Sequence, residues 1–446
     1  MDLLFALLTS FVLLIVSVVN GVFIVYPLFC TLIILSLVLM RKGFSIAALG
    51  QMAIQGSRKA WPVFSILLLI GAVTSTWMAA GTVPAIVYYG IQLINPHWFI
   101  LASFLLTSLV SVLIGTSFGA ASTIGLALMI MAKGGEANPH LVAGAVIAGA
   151  YVGDRCSPMS SSAHLVAAIT GTDLYANLKN MVKTGLLPFG LACLLYAGLS
   201  WLYPVATSNR SLTTELKQFF DLNGLVLLPA LMILVLALCR VEVKRSMLIS
   251  TGVAIPLAVF YQHYSFWQVL RFALVGFRLD ADTPIQAILI GGGIVSMAKV
   301  CSIVLISTAI SGLLAGTNAL QGIEQLLKSA QSRFAIFLNT VLVGIAASAF
   351  GCTQAIGILL TEHLVRQQYA TSSKDPTELA LDLENTVVVL APLVPWNIAG
   401  LVPATVLMTD WRFIPFAFYL YLIPLVVMLQ LWFKPNSMRP SQQNFR

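Results

Sequence analysis

The stretch GAYVGDRCSPMSSSAH, residues 149–164, decides the fold of this chain. It places Asp154 and Arg155 between hydrophobic segments of a sequence that otherwise avoids charge. Pro158 interrupts any helix there, and the backbone groups that it frees need partners at membrane depth. Four hydroxyls accompany the break, from Ser157, Ser160, Ser161 and Ser162. A carboxylate, hydroxyls and irregular backbone at that depth favour the binding and passage of a small ion or polar solute.

The composition predicts an integral membrane protein whose main partner is the lipid bilayer. Of the 446 residues, 59% are hydrophobic and 9% are charged, and the mean hydropathy is +0.94, whereas soluble domains carry roughly 25% charged residues. The net charge of +8 indicates basic cytoplasmic loops rather than nucleic-acid binding. The six cysteines lack paired spacing, so we expect neither a disulfide framework nor a cofactor.

Hydrophobic runs recur from end to end and predict an all-α polytopic membrane protein with about eleven to thirteen transmembrane segments. Leu3–Val19 and Val22–Met40 form a helical hairpin, and the basic loop 41–59 follows it. Placing that loop in the cytoplasm makes the N-terminus cytoplasmic as well. Four regions are expected: a hairpin with its basic loop (1–60), a first transport repeat (61–205), a connecting segment with membrane helices (206–284) and a second transport repeat (285–446).

The breaks in the two halves predict two inverted repeats that contain broken or re-entrant helices. Gly115-Thr116-Ser117 ends a long span in the first half, and Gly351-Cys352-Thr353 does so in the second. Some 40 residues later, Asp154 with Ser157-Pro158 is matched to Glu384 with Ala391-Pro392. Interrupted hydrophobic segments at corresponding positions indicate a transporter binding site, where half-helix ends offer partial charges to a desolvated solute.

At these residues the chain resembles the NhaC family of Na⁺/H⁺ antiporters, within the ion transporter superfamily. The resemblance rests on AAGTVPA at 79–85, INP at 94–96, the run 149–158, GTDL at 171–174 and APLVPWN at 391–397. Two departures are visible: Arg155 stands where the family has lysine, and Ser161 and His164 replace its usual aspartate and asparagine. Hard cations prefer charged or carbonyl oxygen. The serine at 161 therefore favours an organic substrate over simple Na⁺/H⁺ exchange.

The resemblance implies a secondary active transporter, not an enzyme, in a bacterial inner membrane. The first expectation is exchange of cytoplasmic Na⁺ for external H⁺ by alternating access, with Na⁺ and H⁺ as the transported ions. The alternative is Na⁺- or H⁺-coupled antiport of an organic anion or amino acid, such as malate for lactate. A passive channel would need rings of equivalent groups, and a membrane enzyme would need a catalytic motif; the sequence shows neither. A homodimer is compatible with the sequence.

Asp154 is the first candidate ligand for a cation or proton, with Glu384 as the second carboxylate of a Na⁺ site. Asp382 is the alternative to Glu384 in the second half. The other candidate ion- or solute-binding residues are Thr116, Ser117, Ser157, Ser160, Ser161, Asp173, Thr353 and Asn397. The candidate proton relays or charge partners are Arg155, His164 and Lys299. Several of these have ordinary structural readings: Asp173 as a helix cap, Lys299 as a helix end, and Arg155 as a side chain that snorkels to the interface.

Overall fold

The computed structural model describes residues 2–58, 60–204, 210–239, 241–279, 289–317, 332–372 and 375–433. These ranges are almost entirely helical. The first half contains α1 (Asp2–Val19), α2 (Val25–Arg41), α3 (Ile46–Arg58), α4 (Trp61–Ala79), α5 (Thr82–Leu93), α6 (Phe99–Ile114), α7 (Ser117–Ala120), α8 (Leu126–Gly134), α9 (Pro139–Cys156), α10 (Ser161–Thr170) and α11 (Leu174–Leu202).

The second half begins after α12 (Arg210–Phe219) and α13 (Leu228–Leu238). It contains α14 (Val243–Phe260), α15 (Phe266–Val275), β1 (Phe277–Arg278), β2 (Ile290–Gly291), α16 (Ala298–Gly316), α17 (Arg333–Gly351), α18 (Gln354–Ser372), α19 (Pro376–Asn385), α20 (Val387–Leu390), α21 (Ile398–Val406) and α22 (Phe418–Phe433). A π-helical turn, Ala121–Gly125, joins α7 to α8. The two strands pair antiparallel, with Phe277 opposite Gly291.

The described helices confirm an all-α polytopic membrane protein. Five of them are long and apolar enough to cross a bilayer, and the number rises to eight if each bent helix pair counts as one span. Large apolar side chains such as Phe5, Leu186 and Trp267 are exposed, as lipid-facing residues must be. The expected eleven to thirteen segments would also require some of the shorter apolar helices to span, so that number stays a prediction.

α9 lies at the centre of the molecule, and all of its residues from Leu141 to Arg155 are buried. It packs along α6, and glycines make the contact close. A Cβ atom at Gly153 would lie 2.0 Å from the carbonyl carbon of Ser111, and one at Gly149 would lie 2.6 Å from the carbonyl oxygen of Phe104. Small residues let helix backbones approach in this way, and here they bring the end of α6 beside Asp154.

A constant spacing of 237 residues relates the helix boundaries of the two halves. α4 and α16 both have 19 residues, and their first residues are 237 positions apart. The same spacing separates Gly115 and Cys352, the left-handed residues that end α6 and α17. Five pairs of residues whose side chains cap helix N-termini share it: Asn95 and Ser332, Thr116 and Thr353, Asn138 and Asp375, Ser160 and Asn397, and Asp173 and Asp410.

This spacing corrects the register expected for the repeat. Pro158 pairs with Pro395 rather than with Pro392, and Asp154 pairs with Ala391 rather than with Glu384. The expected register aligned the carboxylates of the two halves. In the structure, the helix breaks and the capping residues are what align between the halves. The second half therefore has no carboxylate at the position of Asp154, and the two breaks differ in chemistry.

Two broken helices run antiparallel to each other: α9–α10, interrupted at 157–160, and α19–α21, interrupted at 394–397. The start of the first meets the end of the second, where His140 Nδ1 lies 2.9 Å from Thr409 Oγ1. The end of the first meets the start of the second, where Thr170 and Pro376 line one cavity of about 590 Å³. We call these the closed end and the open end. Antiparallel packing of corresponding elements is the geometry of an inverted repeat.

The helices at the start of each half pack against the other half. α2 and α3 lie on α16, whereas α14 and α15 lie on α4. The contact of α3 is close, because a Cβ atom at Gly56 would lie 2.3 Å from the carbonyl oxygen of Thr308.

Candidate functional site

Asp154 lies in the last turn of α9, where the first break begins, and its side chain is buried. The backbone N–H of Ser117, the first residue of α7, lies 3.5 Å from Oδ1. The hydroxyl of Ser162 lies 3.5 Å from Oδ2. These contacts are long, so the carboxylate is surrounded by polar groups without being tightly bound by them.

The first break supplies oxygen atoms around the same point. The hydroxyls of Ser160 and Ser162 both donate to the backbone carbonyl of Asp154, the latter at 2.7 Å. Ser160 also caps α10 by accepting from the N–H of Ala163. The irregular backbone of the break is therefore satisfied by its own serines, as membrane depth requires. The break thus collects a carboxylate, a carbonyl and hydroxyls in one small volume.

Gln354 brings the second half to this site. Its Nε2 donates to Asp154 Oδ2 at 2.9 Å and to the backbone carbonyl of Val388 at 3.0 Å. Gln354 is the first residue of α18, directly after the break at Cys352 and Thr353. This break was expected to contribute to the site through Thr353, whereas the residue that contacts Asp154 is Gln354. A usable signal existed, since Gln354 follows Ser117 by 237 residues and both contact the same carboxylate.

Arg155 is fully buried and joins three helices. Its Nε donates to the carbonyl of Glu384, Nη1 to the carbonyl of Met181 and to Cys156 Sγ, and Nη2 to Thr184 Oγ1 and Asn385 Oδ1. All five N–H donors of a guanidinium are therefore engaged within the protein. The interpretation of Arg155 as a side chain that snorkels to the interface is therefore wrong.

Glu384 lies on α19 with its side chain fully buried. Within the described part of the chain neither of its carboxylate oxygens has a hydrogen-bond partner. It interacts electrostatically with Arg155 and with Asp154. A buried carboxylate without donors is costly when ionised unless a proton or a cation neutralises it. Glu384 therefore qualifies as a second position for a cation or a proton.

Asp382, the alternative to Glu384, has a structural role. Its Oδ2 lies 2.5 Å from Nη2 of Arg333 and accepts a hydrogen bond of 2.6 Å from the hydroxyl of Tyr369. Arg333 also pairs with Glu378 at 3.6 Å. Asp382 thus holds the start of α17 against α18 and α19, and its charge is already compensated.

The remaining candidates divide into caps and exposed residues. Thr116, Asp173, Thr353 and Asn397 each accept a backbone N–H at a helix start, and Ser157 donates to the carbonyl of Val112 at 2.7 Å. Ser161, His164 and Lys299 are exposed, Lys299 as the second residue of α16. The structure therefore gathers Asp154, Ser117, Ser160 and Arg155 with Glu384, but not Lys299.

The carboxylate and the backbone carbonyl of Asp154, with the hydroxyls of Ser160 and Ser162, supply oxygen atoms of the kind that a hard cation prefers. Among the described residues no group of three or more His, Cys, Asp or Glu side chains is arranged to hold a metal. A proton on the carboxylate would occupy the same oxygen atoms, so Na⁺ and H⁺ would exclude each other.

Two antiparallel broken helices, with a buried carboxylate where their halves meet, define a secondary active transporter. The sequence profile of the Na⁺/H⁺ antiporter family matches residues 149–434, and the chain belongs to this family. The expected resemblance to NhaC-type antiporters is thereby confirmed.

Three relatives show how closely the chain resembles characterised and uncharacterised transporters. A protein of Haemophilus influenzae described as an uncharacterized Na⁺/H⁺ antiporter is 31% identical, over 77% of this chain and 76% of its own. The Na⁺/H⁺ antiporter NhaC of Alkalihalophilus pseudofirmus is 29% identical, over 82% and 81%. The malate-2H⁺/Na⁺-lactate antiporter of Bacillus subtilis is 28% identical, over 87% and 85%.

Proposed function

We propose that this protein exchanges Na⁺ for H⁺ across the membrane, with Asp154 as the shared binding group. The observation that supports it most is the hydrogen bond from Gln354 to Asp154, because it brings the breaks of both halves to one buried carboxylate. Asp154 binds Na⁺ when ionised and releases it when protonated. Competition at one carboxylate couples the two fluxes without any further device.

Glu384 is proposed as the second exchange group. Its oxygens have no hydrogen-bond donors in the described structure, so a proton or cation on Glu384 removes an uncompensated buried charge. Arg155 stays in place during exchange, since its donors bind helices α9, α11 and α19 together. Its fixed positive charge interacts with the Glu384 carboxylate and compensates part of the charge on that group.

Access to Asp154 alternates between the membrane face on the side of the open end and the membrane face on the side of the closed end. Near the open end, Lys179 lies in the second turn of α11, and Arg366 lines the cavity. Because basic residues collect on the cytoplasmic side, the open end is proposed to face the cytoplasm, with the N-terminus on that side. The compartment is a bacterial inner membrane, and the direction is cytoplasmic Na⁺ out against external H⁺.

The transport unit is proposed to consist of the two repeats within 61–205 and 285–446. The region 206–284 supplies the connection, and 1–60 supplies the first hairpin. The constant spacing of 237 residues supports this division from α4 onwards. The regions outside the repeats also contact them, since α14 packs on α4 and α2 packs on α16. A homodimer is proposed as the assembly.

Exchange of an organic solute is the second candidate, and the similarity to the malate-2H⁺/Na⁺-lactate antiporter of Bacillus subtilis favours it. The replacement of the usual family aspartate by Ser161 points the same way. Against it, Arg155 has no free donor for a substrate carboxylate. The structure thus offers more support for a cation site than for an anion site.

The test uses purified protein in sealed vesicles with a pH-sensitive dye inside. A pH gradient is imposed and Na⁺ is added, with and without dicarboxylates or amino acids. Dequenching by Na⁺ alone, lost in Asp154→Asn, is the expected result. Asp173→Asn is the matched control, since Asp173 is an exposed cap and asparagine also caps helices. A response that requires an organic solute would replace the first proposal by the second, and full exchange in Asp154→Asn would remove Asp154 from its role.

A further inference from the structure

A second cavity, of about 250 Å³, lies beside the first break. Its lining includes Gly115 and Thr116 from the end of α6, and Met159 and Ser161 from the break of α9–α10. The first turn of α14, from Glu242 to Ser246, forms its outer wall. The exposed side chain of Glu242 marks the mouth, where it lies 3.8 Å from Arg245.

This cavity adjoins the residues that contact Asp154 on both sides. Thr116 precedes Ser117, whose N–H faces the carboxylate. Ser161 precedes Ser162, whose hydroxyl faces it from the other side. An ion in the cavity would therefore be separated from Asp154 only by Ser117 and Ser162, the residues that contact its carboxylate. The cavity at the open end, by contrast, lies at the far end of α10, about 15 Å away along the helix axis.

The equivalent space at the second break is filled. Adding 237 to Ile66, Gly115 and Met159 in the cavity wall gives Ile303, Cys352 and Trp396. All three are buried in one apolar cluster that also contains Leu7 and Leu14 of α1. Phe11 packs edge-on against Trp396, with ring centroids 5.8 Å apart, and Trp396 donates to the carbonyl of Ala349 at 2.7 Å.

The replacements explain why one space is open and the other is dry. Met159 corresponds to the much larger Trp396, and Ser161 corresponds to Ile398, which is buried. The first break is walled by α14, whose first turn is charged, whereas the second is covered by the apolar face of α1. The two equivalent spaces thus differ in their polar groups. The side chains of Thr116, Ser161, Glu242 and Lys244 stand among the apolar residues that line the first space, and buried water requires such polar partners.

We infer that the cavity at Thr116 and Ser161 is the vestibule through which hydrated monovalent cations reach Asp154, and that the second break is sealed by α1. This inference rests on the proposed function for the identity of the ion. Ser161 then acts as a lining hydroxyl of the vestibule rather than as a direct ligand.

The test compares Ser161→Cys with its counterpart Ile398→Cys in a background that lacks the six native cysteines. A membrane-impermeant thiol reagent is applied to each face of membrane vesicles, and the rate of labelling is measured. Labelling of Ile398→Cys should be at least about ten-fold slower, because a buried side chain reacts only after local opening. Labelled Ser161→Cys should lose most of its Na⁺/H⁺ exchange, relative to the same variant before labelling.

Four outcomes separate the inference from the function on which it rests. Equal labelling of the two variants overturns the vestibule, and so does full exchange by completely labelled Ser161→Cys. If the unlabelled background exchanges no Na⁺ for H⁺ while the labelling rates differ as expected, the proposed function fails and the accessible cavity stands. Preferential labelling together with loss of exchange supports both.

Discussion

Gln354 and Asp154 are 200 residues apart in the chain and 2.9 Å apart in the structure. This one hydrogen bond joins the break that starts α18 to the break that ends α9. It couples the two halves of the transporter at the group proposed to bind the ion. If one half moves relative to the other, this hydrogen bond either lengthens or moves with both halves. The contact of Gln354 with Asp154 therefore depends on the conformation of the transporter.

Gln354→Ala is expected to weaken Na⁺ binding while leaving the protein folded. A hydrogen bond to a charged group contributes about 1.5–3 kcal/mol, which corresponds to a rise of about ten-fold or more in the apparent KM for Na⁺. The measurement is dye dequenching at graded Na⁺ concentrations. Gln55→Ala, on the exposed face of α3, is the control, and an unchanged KM in Gln354→Ala would contradict the coupling described here.

Glu384→Gln and Asp382→Asn should separate transport from stability, although the two residues are neighbours. Glu384→Gln removes a buried charge that has no donors, so we expect slower exchange and an altered pH profile with unchanged or higher thermal stability. Asp382→Asn breaks the buried pair with Arg333, which should destabilise the fold by about 3–5 kcal/mol. Thermal unfolding in detergent measures stability, and Na⁺/H⁺ exchange in vesicles measures transport. A destabilised Glu384→Gln together with a stable Asp382→Asn that does not transport would contradict these assignments.

Arg155→Lys introduces the residue usual for the family and should be harmful in this chain. An ammonium has three donors where a guanidinium has five, so at least two of the acceptors around position 155 lose their partner. Each buried group left unsatisfied costs about 1–3 kcal/mol, and the expected result is a lower midpoint of thermal unfolding. Lys179→Arg, at an exposed site on α11, is the matched reverse exchange. Equal stability of Arg155→Lys and wild type would show that the lysine finds equivalent partners.

A cross-link at the closed end should stop transport. Cysteines at positions 140 and 409 replace a histidine and a threonine whose side chains are 2.9 Å apart, so a short bifunctional thiol reagent should join them readily. Transport should cease and return on reversal, because that end must open in the other half of the cycle. The counterparts by spacing, Thr172→Cys with Thr377→Cys, flank the open end and should cross-link more slowly. Undiminished exchange in the fully cross-linked 140–409 variant would show that this contact is no gate.

The membrane class and the main site were predictable from the sequence because both depend on local patterns. Apolar length predicts spanning helices, and a carboxylate beside a proline break within such a pattern has few non-functional uses. Asp154 was identified on that basis, and the structure places it at the junction of the breaks. Ser160 and Ser117 were identified with it because they share its break or the preceding one.

The register of the repeat was not predictable in the same way. Matching charged residues aligned Asp154 with Glu384, whereas caps and left-handed residues align it with Ala391. Such backbone positions are conserved between the halves because they end and begin helices. Charged residues are not conserved between the halves, since the first break has Asp154 where the second has Ala391. Lys299 had two open interpretations, an internal charge or a helix end, because hydropathy does not distinguish the end of a helix from its interior; the structure places it at the start of α16.

The sequence by itself determined the polytopic helical class, the family and the carboxylate at the first break. Only the tertiary structure decided which distant groups meet there. It brought Gln354 to Asp154, used all five donors of Arg155, left Glu384 without donors, and paired Asp382 with Arg333 instead. These outcomes depend on how antiparallel helices cross and on which face each presents at the crossing. No local pattern encodes the rotation of one helix against another, because packing across the whole molecule sets it.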